Sequence, residues 1–367
     1  MGLTVVNVAY PLAPVRQDTP GGAEHVLSLL DEALVHRGHR SVVVACEGSS
    51  TAGALVAIPA VRGKISGEKW RLAQDLMRIA LDDALRRFDA DLVHMHGLDF
   101  SAYLPRPGVP VLATLHLPLS WYDSSALFPG RPGTYLHCVS SSQRRECPGG
   151  VHLLPDIENG VPVDRLASGV SKRGFALAMG RICPEKGFHL ALGAARRAGT
   201  PLMLAGRVFG YREHEHYFRH EIEPRLDGSR YRFIGSVGFV RKRRLLTAAR
   251  CLLVPSLAPE TSSLVAMEAL ACGTPVIAFP SGALGDIVEH GRTGFLVRDE
   301  EEMAEAIGAA SSLSPALCRE AARERFSAER MIRSYLEVYG KIVGEGVSPG
   351  LLLYRGGPHG GREERAS

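Results

Sequence analysis

Apolar residues recur along the chain in short unbroken runs, and between the runs they return every three or four positions. The runs at 4–9, 41–45, 92–95 and 111–115 predict strands in the first part of the chain. Those at 175–179, 201–205, 231–234, 251–254, 275–279 and 294–297 predict a second series. Strands that are apolar on both faces and alternate with helical periodicity predict parallel sheets covered by helices on each side, so the fold class is α/β. The alternation breaks once, at the small, polar and turn-rich stretch 167–174. That break predicts an N-terminal domain over 1–166 and a second domain over 167–326, each a doubly wound, Rossmann-like parallel sheet. Ligands of such sheets bind outside the carboxyl ends of the strands, so the two domains are expected to face one another across a cleft. After them, Met331, Ile332, Tyr335, Leu336, Val338, Tyr339 and Ile342 trace one face of an amphipathic helix over 327–343. The glycine-rich remainder, 344–367, is expected to be disordered.

Composition narrows the function classes. A chain of 367 residues suits two domains, and a net charge of +4 is too small to make nucleic acid the main partner. An anionic ligand fits, and so does peripheral contact with a membrane surface. The seven cysteines, at 46, 138, 147, 183, 251, 272 and 318, form no C-x-x-C pair and no regular framework. That usage predicts reduced thiols and a cytoplasmic location, in keeping with the lack of a signal-like or membrane-spanning apolar stretch. Oligomeric state has no signature in the sequence.

The candidate chemistry centres on Pro259-Glu260-Thr261-Ser262-Ser263-Leu264-Val265-Ala266-Met267-Glu268. Glu260 follows the strand at 251–254, and Glu268 stands among alanine, leucine and methionine in a helix ending at Gly273-Thr274-Pro275. A carboxylate in such surroundings is partly buried and needs a partner. Thr261, Ser262 and Ser263 are all candidate N-caps. A helix start flanked by two carboxylates can hold an anion on its free N–H groups and grip hydroxyls to either side.

Three further clusters fall where strands are predicted to end. Gly21-Gly22-Ala23-Glu24 opens the first helix after the first strand, although it is not the G-x-G-x-x-G dinucleotide fingerprint. Gly180-Arg181-Ile182-Cys183-Pro184-Glu185-Lys186-Gly187 follows the first strand of the second domain, with Pro184 suited to begin a helix. Lys186 in a first helical turn opposes the helix dipole unless an anion lies nearby, which hints at a phosphate. His94 and His96 share one strand face, and His116 ends the next strand at the predicted cleft. The histidine pair lacks a third ligand nearby, and Asp89-Ala90-Asp91 lies at the amino end of its strand, so no metal site is expected. The basic run Arg241-Lys242-Arg243-Arg244 reads as a solvated helix face.

Taken together, the glycine pair, Gly180-Arg181, Glu185-Lys186-Gly187 and the Glu260 to Glu268 segment resemble the retaining glycosyltransferases of family 4 (glycosyl transferases group 1), which have the GT-B fold. The resemblance covers the chain to about residue 343 and implies that the terminal helix crosses back to the first domain. It implies transfer of a sugar from a UDP-sugar or GDP-sugar donor to a small-molecule, glycan or lipid-linked acceptor hydroxyl, with retention of configuration and without a metal or other cofactor. By that likeness Glu260, His116, Arg181 and Lys186 are the catalytic candidates. Gly22, Arg181, Lys186, Ser263, Leu264, Val265 and Glu268 bind the donor, with Gly21 and His96 as lesser candidates. Many members have an aromatic residue shortly after the first glutamate, where this chain has Thr261-Ser262-Ser263. A nucleotide-sugar 2-epimerase of the same fold, or a non-catalytic nucleotide-sugar binding protein, would share the nucleotide site without an acceptor site.

Overall fold

The structure, a computed structural model, describes residues 2–16, 21–61, 63 and 66–345. The apolar runs form two six-stranded sheets in which every pairing is parallel. The first holds β1 (Thr4–Val8), β2 (Arg40–Cys46), β3 (Ala54–Ile58), β4 (Leu92–Met95), β5 (Val111–Leu115) and β6 (Thr134–Cys138), in the order β3-β2-β1-β4-β5-β6. The second holds β7 (Ala176–Arg181), β8 (Leu202–Arg207), β9 (Tyr231–Phe233), β10 (Cys251–Val254), β11 (Val276–Ala278) and β12 (Gly294–Leu296), in the order β12-β11-β10-β7-β8-β9. Both sheets have the same doubly wound order. The direction of winding reverses between β1 and β4 and between β7 and β10, which opens a crevice at the carboxyl ends of those strands.

Burial on both faces explains the register. Val6 pairs with Val42 on one side and Val93 on the other, and all three are fully buried. One face of the first sheet is covered by the helix Gly67–Arg87, whose Met77, Leu81 and Ala84 pack among Val6, Val44 and Val93. The opposite face receives the helix Gly22–His36 together with the terminal helix Ala328–Glu345. Met331, Tyr335, Tyr339 and Ile342 are buried there against Val5, Leu92 and Leu112, so the apolar face that the periodicity traced is buried and the helix returns to the first lobe as the resemblance implied. The expectation for the tail falls, from residue 346 onward, outside the described residues.

The chain crosses between lobes twice, and the two crossings are bonded to each other. Val161 N–H donates to the carbonyl of Phe326 and Ala328 N–H to that of Val161, both at 2.8 Å. A Cβ on Gly160 would lie 2.6 Å from the Ser327 carbonyl oxygen, so only glycine allows this approach. Val161 and Leu166 already pack in the core of the second lobe.

Candidate functional site

The second lobe supplies a charged floor. After β7 a single 3-10 turn, Pro184–Lys186, ends in Gly187 with φ of 61°, in the left-handed region. Its backbone lies so close to β10 that a Cβ would come within 2.1 Å of the Pro255 carbonyl oxygen. The Leu257 N–H donates to the Glu185 carbonyl at 2.8 Å, which ties the two strand exits together. Lys186 Nζ consequently sits 2.5 Å from Glu260 Oε1, and the Ser256 hydroxyl donates to the same oxygen. Both charged side chains are largely shielded, at 25% and 10% exposure. The sequence placed Lys186 in a first helical turn. The helix instead starts at Phe188, because Gly187 interrupts the backbone, and the partner of Lys186 is a carboxylate.

Glu260 is fixed from behind as well. Its backbone bridges to Gly282, whose φ is 60°, and a Cβ there would stand 2.3 Å from the Glu260 carbonyl oxygen. The helix that follows, Leu264–Ala271, has Ser263 at its N-cap with no side-chain cap hydrogen bond. Hydroxyl capping, expected from the three hydroxyl residues, does not occur. The Thr261 hydroxyl donates instead to the backbone carbonyl of His116 across the cleft, at 2.8 Å, and Ser262 Oγ is buried without a partner. The first turn is left open at the cleft, where backbone N–H groups favour an anion.

Glu268 is buried as its apolar neighbours predicted, and its ion-pair partner is Lys242. This corrects the view of the basic run as wholly solvated: Lys242, in the helix Phe239–Ala248, is 19% exposed and lines the cleft. Lys242 shares a helical face with Leu245 and Leu246 at the three- and four-residue spacing, and that phase is the signal that would have found it.

The first lobe contributes a neutral wall. Gly21 is the N-cap of the first helix, and Gly22 approaches Leu264 of the other lobe closely enough that a Cβ would lie 3.4 Å from its Cδ1. Glu24 is buried there, and burial raises its carboxyl above the ordinary range. His96 Nδ1 lies 3.1 Å from His116 Nε2 with the rings stacked, and His96 Nε2 is buried with no partner. Behind them His94 contacts the Tyr339 hydroxyl at 2.6 Å and Thr114 Oγ1 at 2.7 Å. His137 contacts the same Thr114 oxygen at 2.6 Å. Burial pushes His116 down to about 3 and His137 to about 4, and holds His94 and His96 well below the usual imidazole value. All four rings are therefore neutral at physiological pH. Asp91 is occupied at the far end of the sheet, accepting from the Thr4 N–H at 2.7 Å. Among the described residues, Cys183, Glu185 and His214 bring possible ligand atoms within 4.8 Å of one another. Burial raises the Cys183 thiol to about 11.

Every site residue singled out from the sequence lines one cleft between the lobes, with a volume of about 1050 Å³. Tyr10, Tyr211 and Lys242 line it too and had not been assigned to it. Of the aromatic residues in the loop after β5, Trp121 faces the cleft, Tyr122 is buried with its hydroxyl on the Leu117 N–H, and Phe128 lies elsewhere on the surface. A cleft this large has room for two ligands side by side.

Residues 20–165 match the sequence family described as Glycosyltransferase Family 4, and residues 165–326 match Glycosyl transferases group 1. The phosphatidyl-myo-inositol mannosyltransferase of Mycobacterium leprae is 27% identical over 350 residues, covering 86% of this chain and 89% of that one. A D-inositol 3-phosphate glycosyltransferase of Mycobacterium sp. (strain KMS) is 32% identical over 207 residues, covering 53% of this chain and 47% of that one. Among solved structures, AviGT4, a glycosyltransferase involved in avilamycin A biosynthesis, superimposes with a TM-score of 0.70 at 25% identity, covering 94% of this chain and 98% of that one. Anabaena HepE, solved with UDP and glucose, shares the fold with a TM-score of 0.70 at 20% identity, covering 92% and 99% of the two chains. With the two families adjoining at residue 165 and the paired sheets enclosing one cleft, the chain belongs to glycosyltransferase family 4 and is a glycosyltransferase of the GT-B type.

Proposed function

We propose that the protein transfers a hexose from a UDP-sugar or GDP-sugar to an acceptor hydroxyl with retention of anomeric configuration. The observation that carries this reading is the Lys186 to Glu260 pair, held at the uncapped helix start and lined by Arg181. Departure of a nucleoside diphosphate builds negative charge on the leaving oxygen and positive charge at the anomeric carbon. Arg181, Lys186 and the backbone N–H groups of Ser263, Leu264 and Val265 stabilise the first. Glu268 holds the ribose, Glu260 orients the sugar hydroxyls, and Gly22 lets the backbone approach the donor. The bond from the anomeric carbon to the phosphate oxygen breaks while the acceptor oxygen bonds to that carbon on the same face. The acceptor proton passes to the departing phosphate oxygen, so no protein nucleophile is used. His116, neutral and placed by His96, acts as a hydrogen-bonding group towards the reacting sugar. Side-chain cations and helix N–H groups supply the charge that a metal ion would otherwise bring, so activity is expected to survive chelators.

HepE, whose structure holds UDP and glucose, supports a nucleotide-sugar donor by its shared fold. A panel of UDP-, GDP- and TDP-sugars scored by thermal shift identifies the donor, since a ligand at about 100 times its Kd adds roughly 2.7 kcal/mol. The test of mechanism is Glu260→Ala. Turnover is expected to fall by about 10²-fold or more with nucleotide affinity nearly unchanged, and NMR of the product gives its anomeric configuration. Equal loss of turnover and affinity would sink the role given to Glu260.

A further inference from the structure

The cleft is electrically lopsided. Its cations, Arg181, Lys186, Arg207, Arg212 and Lys242, all come from the second lobe. On the first-lobe wall, among the described residues, there is no lysine or arginine, and the one carboxyl is Glu24, which is itself buried. Tyr10, Leu98, Leu117, Pro118 and Trp121 make up the exposed part of that wall, and Trp121 presents 49% of its surface. The cleft histidines His96 and His116 lie in a buried cluster that disfavours their charged forms.

We infer that the acceptor is an uncharged polyol or sugar ring, one face against Trp121 and one hydroxyl on His96 Nε2, and that a phosphate-bearing acceptor is excluded. A phosphate group carries about −1.5 to −2 charges. Placed against this wall it would lose hydration without a cation in exchange, and it would meet the Glu24 carboxyl. A neutral ring satisfies both features of the wall: its C–H face covers the aromatic surface, and its hydroxyl reaches the ring nitrogen. His96 Nε2 is the independent sign of a ligand, because it is a buried polar atom of a cleft-lining residue with no partner in the protein. The inference sets this chain apart from the mycobacterial relatives named for phosphatidyl-myo-inositol and D-inositol 3-phosphate acceptors.

The inference rests on the proposed donor site, so the first measurement is the thermal shift with nucleotide sugars. A missing shift removes the donor reading alone. The wall is tested separately by quenching of tryptophan fluorescence with two matched pairs, myo-inositol against myo-inositol 1-phosphate and glucose against glucose 6-phosphate. Transfer to the same compounds is then compared by product mass. The neutral member of each pair is expected to bind and react better by about tenfold or more, with a KM that is insensitive to salt. Leu98→Lys is expected to shift the preference towards the phosphorylated member. Equal or better use of a phosphorylated member by the unaltered protein overturns the inference, and so does the absence of quenching by all four compounds.

Discussion

Acidification should unfold the first lobe before the second, because four neutral histidines are buried there and none of them accepts a proton while folded. In the unfolded chain each titrates near the ordinary imidazole value of about 6.5. In the fold, burial lowers His116 to about 3 and His137 to about 4, with His94 and His96 also well below 6.5. Between those values the unfolded chain binds more protons than the native one, so stability falls as pH falls. The contribution is fully present above pH of about 6.5, is lost progressively below it, and ceases to change once the folded values are passed. Each histidine contributes about 1.4 kcal/mol per pH unit in that window, so the four together approach roughly 5 kcal/mol per unit. Against a typical stability of about 5–15 kcal/mol, that slope brings the first lobe to its midpoint roughly one to three units below 6.5. The assay is urea unfolding followed by circular dichroism at several pH values, fitted as two transitions because two lobes need not unfold together. His137→Gln should reduce the slope of the pH-sensitive transition by about one proton. A slope of one proton or less in the unaltered protein would refute the argument. It would mean that the cluster is hydrated or already charged. Because His116 stays neutral down to about 3, the acid limb of activity should follow loss of structure and not titration of that ring.

Two further outcomes follow from the second lobe. Gly282→Ala places a side chain on a left-handed residue against the Glu260 carbonyl, so it should cost about 1–3 kcal/mol and lower turnover more than nucleotide affinity. Urea midpoints and steady-state kinetics check this, and full activity would show that Glu260 does not need its bridge. Glu268→Ala leaves Lys242 largely buried and without its carboxylate, for a loss of about 3 kcal/mol and weaker nucleotide binding. Glu268→Leu combined with Lys242→Met should restore the stability but not the nucleotide affinity; calorimetric titration that shows both restored would remove Glu268 from the binding site.

The strands that were legible in the sequence are the central ones. β4, β5 and β10 coincide with their apolar runs because each is buried along its whole length, with His94 in β4 and Thr114 in β5 as single polar residues bonded to each other. β3 and β6 were not legible. β3 is an edge strand with Ala54, Leu55 and Ala57 exposed, and its short alternating run resembles a loop. β6 begins with the partly buried Thr134 and Tyr135 and carries His137 in its interior, whose ring meets the Thr114 hydroxyl and the Cys138 carbonyl, so polar positions break its apolar run. Site residues were legible where they follow strand ends, since doubly wound sheets gather ligands there. Lys242 was not, because it sits in a basic run, and the loop from Pro118 to Gly133 offered Trp121, Tyr122 and Phe128 as stacking candidates without showing which of them faces the cleft.

What the sequence determined by itself is local. The alternation of apolar runs and helical stretches sets two parallel sheets, the phase of Met331, Tyr335 and Tyr339 sets a buried face on the terminal helix, and the segment from Glu260 to Glu268 sets a helix start between carboxylates. The tertiary structure decided the pairings: Lys186 with Glu260, Lys242 with Glu268, and the Thr261 hydroxyl with the His116 carbonyl in place of a helix cap. Each of these joins residues far apart in the chain, and the last joins the two lobes. The physical reason is that propensity and periodicity act over a few residues, whereas the partner of a buried charge is whichever group the packing of two sheets brings within about 4 Å.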